Sequence, residues 1–151
     1  MVLLKNNEKV CTCGENKRLH LSMIQDVISR MGSNSFFIKG WALTAIGGLV
    51  TLFFTHSSYN WSRYLIILAL IICIIFWLLD AFYLQKERKF RALFNIVRVI
   101  NEEKIDFCMS TNLKMIRNNE KTNLFNCIFS STLVLTYGIV TIMLVILFIF
   151  I

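Results

Sequence analysis

The chain has no proline, only six glycines and two histidines in 151 residues, and three long stretches of it carry almost no charge. Without proline, no residue is obliged to kink or end a helix. The histidines, His20 and His56, fall on opposite sides of the first uncharged stretch, so they cannot share one site. Cys11 and Cys13 with His20 would make half of a zinc site, but no second ligand pair follows at zinc-site spacing. The five cysteines are Cys11, Cys13, Cys73, Cys108 and Cys127, and three of them are expected in a reducing compartment, where disulfides are rare. There is no glycine-rich phosphate loop, no internal repeat and no enzyme motif. The Glu102, Glu103 and Asp106 cluster at the end of a basic segment reads as a solvated face. The expectation is a protein that is not an enzyme and holds no metal or cofactor.

What is present is hydrophobic length. The uncharged stretches run from Gly40 to Trp61, from Tyr64 to Gln85 with Asp80 as the one interruption, and from Leu124 to Ile151. Each reaches the roughly 20 residues that a helix needs to cross a hydrocarbon core about 30 Å thick. The expected class is an all-α integral membrane protein with three transmembrane helices, plus amphipathic and extended cytoplasmic helices. Lys and Arg number six before Gly40, one between the first two spans, nine between the second and third, and none afterwards. Cytoplasmic loops retain positive charge, so the N-terminus and the 85–123 connection are expected in the cytoplasm, with the 56–63 loop and the C-terminus outside. The polar N-terminal 35 residues lack the apolar core and small-residue cleavage site of a signal peptide, so nothing is expected to be removed. The residues left outside the spans are too few for an ordinary independent domain.

Four segments follow. Residues 1–39 hold an arm, expected to be mobile through residue 19, and an amphipathic helix. In that helix Leu21, Ile24, Val27, Ile28 and Met31 recur at helical spacing. Gly32-Ser33-Asn34-Ser35 is expected to break it before the first span. With one cation inside it, Arg30, its apolar face is expected against protein rather than headgroups. Residues 40–84 form the first transmembrane hairpin. Residues 85–123 are a basic helical extension, since Phe90, Leu93, Phe94, Val97 and Ile100 continue the helical period. One helix from about Asn60 to Glu103 would be on the order of 65 Å long. Such a rod cannot bury its apolar stripe alone, so it needs the 20–31 helix or the same rod from neighbouring subunits, and assembly is expected. A short helix is expected after Ser110 or Thr111, and residues 124–151 are the third span.

Asp80 is the sharpest single residue. A charge inside a span costs roughly 2.5–3.5 kcal/mol at the helix centre and normally faces protein or water. It sits about 9 Å inside Lys86 along the helix axis, level with Lys39 on the preceding antiparallel span. A Lys39–Asp80 pair is expected, with Arg30 as the other possible partner, serving either to fasten the hairpin or to break on opening. Two stripes accompany it. Gly40, Thr44, Gly47, Gly48, Thr51 and Thr55 form a small-residue face suited to close helix packing. Asn126, Ser130, Tyr137 and Thr141 align on the third span, where they would line a path between subunits or bond across helices. The cluster Lys86, Arg88, Lys89, Arg91 and Arg98 would attract anionic lipids or, multiplied around an axis, a nucleic acid. Phe90 and Phe94 lie among these cations, either to stack on bases or to pack on helices.

The segments Ile28-Ser29-Arg30-Met31, Ser35-Phe36-Phe37-Ile38-Lys39-Gly40-Trp41 and Phe76-Trp77-Leu78-Leu79-Asp80-Ala81-Phe82-Tyr83-Leu84, with Glu87-Arg88 and Phe90-Arg91, resemble small bacterial anti-phage membrane proteins. The likeness covers about residues 20 to 100. The nearest resemblance is to the transmembrane channel effectors of Hailong systems, encoded beside a nucleotidyltransferase. It implies a homotetrameric ion channel of the bacterial inner membrane. Single-stranded DNA oligomers made by the partner enzyme would hold it closed, and infection would open it, depolarising and killing the cell before phage release. Neither the Cys11-Thr-Cys13 arm nor the uncharged C-terminus has a counterpart in that group. The expected function is therefore an oligomeric channel effector of abortive infection, gated by a nucleotide or DNA oligomer on the basic helices. The competing classes are a non-conducting membrane anchor that recruits a soluble partner and an unregulated pore-forming toxin.

Overall fold

The computed structural model describes residues 4–59, 61–112 and 122–150, with side chains from residue 14 onward. Every regular element among them is helical. Helix α1 (Leu4–Thr55) turns through a tight aromatic loop into the antiparallel α2 (Ser62–Val99). A single 3-10 turn follows at Glu102–Lys104. A short α3 (Leu124–Ile128) precedes α4 (Ser131–Ile149), whose Val134–Gly138 segment is π-helical. Helices α1, α2 and α4 are long and apolar enough to cross a membrane.

The membrane-length part packs through small residues. Ala42 and Ile46 of α1 meet Ala69, Cys73 and Ala81 of α2, and Leu133, Tyr137 and Leu144 of α4 complete that core. Short side chains let helix axes approach closely, which is how helices associate where lipid removes the usual hydrophobic drive. The outward faces are apolar along their length, with Trp41 69 % exposed and Ile71, Ile74, Ile75, Leu135 and Ile142 also bare. Such a surface is far larger than a water-soluble monomer tolerates. Aromatic rings bound it at both ends. Phe36, Phe37, Trp41, Phe82, Phe125 and Phe129 stand exposed at the basic end, and Phe54, Tyr59, Trp61, Tyr64 and Phe150 at the other. Rings of this kind settle at headgroup level.

Beyond the apolar layer, α1 and α2 run on together. Ile24 packs against Leu93 and Val97, flanked by Leu21, Ile28, Phe90 and Phe94, so the amphipathic face of residues 20–31 rests on α2 as the periodicity indicates. Lys17 Nζ donates to Ile100 O at 3.0 Å, supplying a partner to a carbonyl just past the end of α2. The 105–112 segment returns across this end. Phe107 adopts a left-handed φ of 54°, a strained setting for an aromatic residue, and lays its ring 5.4 Å from that of the buried His20. No Cys11 or Cys13 side chain is described, so the suggested grouping with His20 lies outside the described residues.

Two expectations need correction. Residues 32–35 do not interrupt α1, which is helical from Leu4 onward. Gly, Ser and Asn disfavour a helix by about 1 kcal/mol or less each, and the α2 contacts on both sides of the run outweigh that. The third stretch is not one straight span from Leu124, because it breaks at Phe129-Ser130, where Ser130 is extended with ψ 138°. The helix expected after Ser110 or Thr111 falls largely on residues 113–121, outside the described residues.

A Cβ at Gly32 meets no atom within 4 Å. Gly32→Ala is therefore expected to raise unfolding stability by about 0.5–1 kcal/mol with unchanged helicity. A loss of stability in a detergent unfolding titration would mean that residues 32–35 work as a hinge rather than as plain helix.

Candidate functional site

Asp80 lies at 0 % exposure between the two long helices, at the basic edge of the apolar layer. Its Oδ2 is 2.7 Å from Lys39 Nζ, the pair that the charge pattern indicates. Its Oδ1 accepts a hydrogen bond from Ser35 Oγ at 2.5 Å, and Lys39 Nζ donates to the same Ser35 Oγ at 2.7 Å. Ser35 and Lys39 stand one helical turn apart on the same face, so α1 must be helical through residue 35 for both to reach Asp80. Arg30, the other suggested partner, is exposed to solvent.

A line of contacts runs from this site toward the basic end of α2. Tyr137 is 2 % exposed in the π-helical turn. Its ring stacks on Trp77 with centroids 6.2 Å apart and planes 11° from parallel. Trp77 Nε1 donates to Ile128 O at 3.1 Å. Arg88 donates to Asn126 O at 3.4 Å, to Cys127 Sγ at 3.6 Å and to Ser130 Oγ at 3.0 Å, while Gln85 donates to Thr122 O at 3.0 Å. A helix that stops near a membrane leaves carbonyls that must find donors in protein. Two of them, on Asn126 and Ile128, are served by Arg88 and Trp77. Burial pushes the Cys127 thiol up, against the lowering pull of Arg88, so it stands beside the guanidinium as a protonated thiol.

Of the two readings of the third-span stripe, bonding across helices is the one seen within the chain. Ser130 bonds Arg88, Tyr137 stacks on Trp77, and Thr141 Oγ1 lies 3.5 Å from Cys73 Sγ while bonding Tyr137 O. These three turn toward α2 of the same chain, because an indole, a thiol and a guanidinium on α2 take up their polar groups. Asn126 alone of the four is exposed. The stripe left bare is the other one. Gly40, Thr44, Gly47, Gly48, Thr51 and Thr55 are all exposed, with the three threonine hydroxyls bonded back to carbonyls of their own helix.

The basic cluster divides around α2. At 100° per residue, Arg91 and Arg98 fall within about 20° of each other with Arg88 about 60° from Arg91, while Lys86 and Lys89 lie about 60° apart on another side. Arg88 is engaged with the third-helix region, Arg91 pairs with Glu87 at 2.6 Å, and Lys86 lies over the Phe82 ring at 5.3 Å. Lys89 and Arg98 have no ion-pair partner among the described residues. Beside Arg91, a groove of about 360 Å³ opens between the helices, lined by Gln25, Ile28, Arg91, Phe94 and Asn95. Ser35, Trp77 and this groove were not apparent as site features in the sequence. Trp77 and Asp80 do lie three residues apart, a spacing that places them on neighbouring positions of one helix face.

Comparison with protein-family models, curated proteins and solved structures gives no match.

Breaking the buried pair from one side strands a charge, at a typical loss of about 3–5 kcal/mol. Asp80→Ala is expected to lose stability on that scale, while Lys39→Met combined with Asp80→Leu recovers most of it. Additive losses in the double-mutant cycle would show that the two residues do not act as a pair. Arg88→Ala is expected to raise hydrogen exchange of the 124–133 amides while leaving α1 protected; unchanged exchange there would remove Arg88 from the helix break.

Proposed function

We propose that this chain is a subunit of a homo-oligomeric ion channel of the bacterial inner membrane, an anti-phage effector gated by a nucleotide or DNA oligomer on its basic side. The observation that carries the reading is the contact line Arg88, Ser130, Ile128, Trp77 and Tyr137, with Trp77 one turn of α2 away from the Asp80–Lys39 pair. It joins a cationic rod suited to a polyanion to a buried ion pair at the edge of the apolar layer, through a broken helix and a π-helical turn. Segments of that kind are the ones that shift between discrete packings. The biological setting and the tetramer come from the family likeness of residues 20 to 100. The bare glycine and threonine face of α1 is the surface through which copies pack closely around an axis.

The ligand seat follows from the chemistry of the groove. Phe94 offers an aromatic face for a base, Gln25 and Asn95 offer carboxamides for its edge, and Arg91 and the neighbouring Arg98 offer charge for phosphate. Lys86 and Lys89 face a different side and serve anionic headgroups. A bound oligomer changes conduction only through unequal affinity for the closed and open packings.

Reconstituted vesicles test this. Ion flux is expected to differ severalfold with and without single-stranded oligonucleotide, and Arg91→Glu with Arg98→Glu is expected to abolish the difference while flux itself persists. Flux that ignores oligonucleotide throughout identifies an unregulated pore. No flux in either condition ends the channel reading and leaves an anchor whose rod recruits a partner.

A further inference from the structure

Helix α1 leaves one face uncovered from residue 19 to residue 55. Within the apolar layer, bare side chains cost little. Beyond it they meet water. Leu19 is 51 % and Met23 47 % exposed there, and the Asp26 and Arg30 that follow them are exposed as well. At 100° per residue these four fall within about 60°, an arc that overlaps the glycine and threonine stripe and points away from Ile24 and Ser35, which meet α2. Asp26 and Arg30 stand one turn apart with opposite charges, and neither side chain makes an ion pair among the described residues.

The spacing of this face is regular. Steps of four and three alternate through Leu19, Met23, Asp26, Arg30, Ser33 and Phe37, and run on without a skip into Gly40, Thr44, Gly47 and Thr51. That is the heptad step of a seam between helices, and copies inserted the same way in one membrane run parallel. With no proline and no break at residues 32–35, α1 carries the seam as a single helix. Area decides how much of it an interface needs. A strip about 10 Å wide along residues 40–55, about 24 Å of helix, buries roughly 500 Å² between two copies, half of the roughly 1,000 Å² that a specific interface clears. Continued to residue 19, the strip is about 55 Å long and buries roughly 1,100 Å².

We propose that a second copy of this chain docks along the whole face, residues 19–55, as a parallel seam in which Asp26 of one copy pairs with Arg30 of the next. This rests on the homo-oligomeric reading and extends its interface beyond the membrane; it does not depend on conduction. Polar residues on a seam cost stability but fix its register, and here a neighbour out of step sets like charges together. Leu19 and Met23 cover one another from water at one end of the rod, and Phe37, 61 % exposed in the single chain, supplies an aromatic anchor at the other. A polyanion is disfavoured as the occupant, because Asp26 lies in the middle of the face.

The test measures the subunit number of the full chain in mild detergent by light scattering over a dilution series. The wild type is expected to be an oligomer. Asp26→Arg and Arg30→Asp are each expected to raise the concentration at which it dissociates by roughly tenfold or more, since each sets like charges side by side. Asp26→Arg combined with Arg30→Asp is expected to return it to the wild-type value. A monomeric wild type overturns this proposal and the homo-oligomeric reading together. An oligomer that ignores both single reversals overturns the seam on the rod and leaves the homo-oligomeric reading standing, and single losses that the exchange does not repair reject the Asp26–Arg30 pairing. Single reversals that keep the subunit number but abolish the response of ion flux to oligonucleotide assign the face to the ligand instead of a copy, and the proposal falls. Should a reversal reduce helicity, a photoreactive phenylalanine analogue in place of Met23 is expected to crosslink two copies, and no crosslink there overturns the proposal.

Discussion

One carboxylate in an apolar layer constrains the rest of this molecule. Asp80 has no exposed surface, and an uncompensated charge there would cost several kcal/mol. Its neutralisation demands that Lys39 and Ser35 face it together, which fixes the axial register of α1 on α2 to within a side chain's reach. That register sets which small residues meet below the pair, with Ala42 and Ile46 against Ala69 and Cys73. It also sets which apolar residues meet beyond it, with Ile24 against Leu93 and Val97. The same demand keeps α1 straight, since a break at Gly32–Ser35 would turn Ser35 off the face that carries Lys39.

The second constraint is the unfilled backbone of the third helix. Ser130 is extended, so the helix stops there and the carbonyls of Asn126 and Ile128 turn to side-chain donors. Arg88 and Trp77 supply them from α2. A cation counted among the ligand-binding candidates thus spends its hydrogen bonds on its own chain. The arrangement makes α2 the common support of both other membrane-length helices. A change in how Arg88 is held is then felt at residues 126–130 before it is felt at Tyr137 or Asp80. Whether that line transmits a signal depends on the helix break having two stable packings, which is a stronger condition than contact.

The sequence made the hairpin and its ion pair legible because charge is rare in the spans. With one acid in the second stretch and one lysine at the matching level of the first, topology left little choice. The rod was legible because the period of Phe90, Leu93, Phe94 and Val97 runs unbroken through the cations. Ser35 was not, because it sits in a run whose residue types favour turns, and local propensity is weaker than the packing on either side of it. The polar stripe of Asn126, Ser130, Tyr137 and Thr141 showed its alignment but not its direction. Polarity on one face of a helix is the same whether that face meets a neighbouring subunit or an indole and a thiol of its own chain. The basic cluster misled for a related reason, since five cations close in sequence are split between two sides of a helix.

What the single chain leaves unsatisfied indicates where other molecules must act. Its own helices leave the glycine and threonine face of α1 uncovered, although that face is the best shaped for close packing. Its threonine hydroxyls are bonded within the helix, so exposure to lipid costs them little, and a second copy gains contact there without stripping polar groups. Arg98 and Lys89, lacking ion-pair partners among the described residues, keep their full attraction for anions beyond the apolar layer. Affinity at those cations alone moves nothing, because a ligand that contacts both packings equally shifts no population. To take the assembly from 1 % to 99 % in one state requires a difference of about 5.5 kcal/mol. Spread over the four copies of the proposed tetramer, that is a little over 1 kcal/mol each, well below the cost of breaking one Lys39–Asp80 pair. The gate proposed for this chain would therefore have to exchange partners around Asp80 rather than leave its charge alone in the apolar layer.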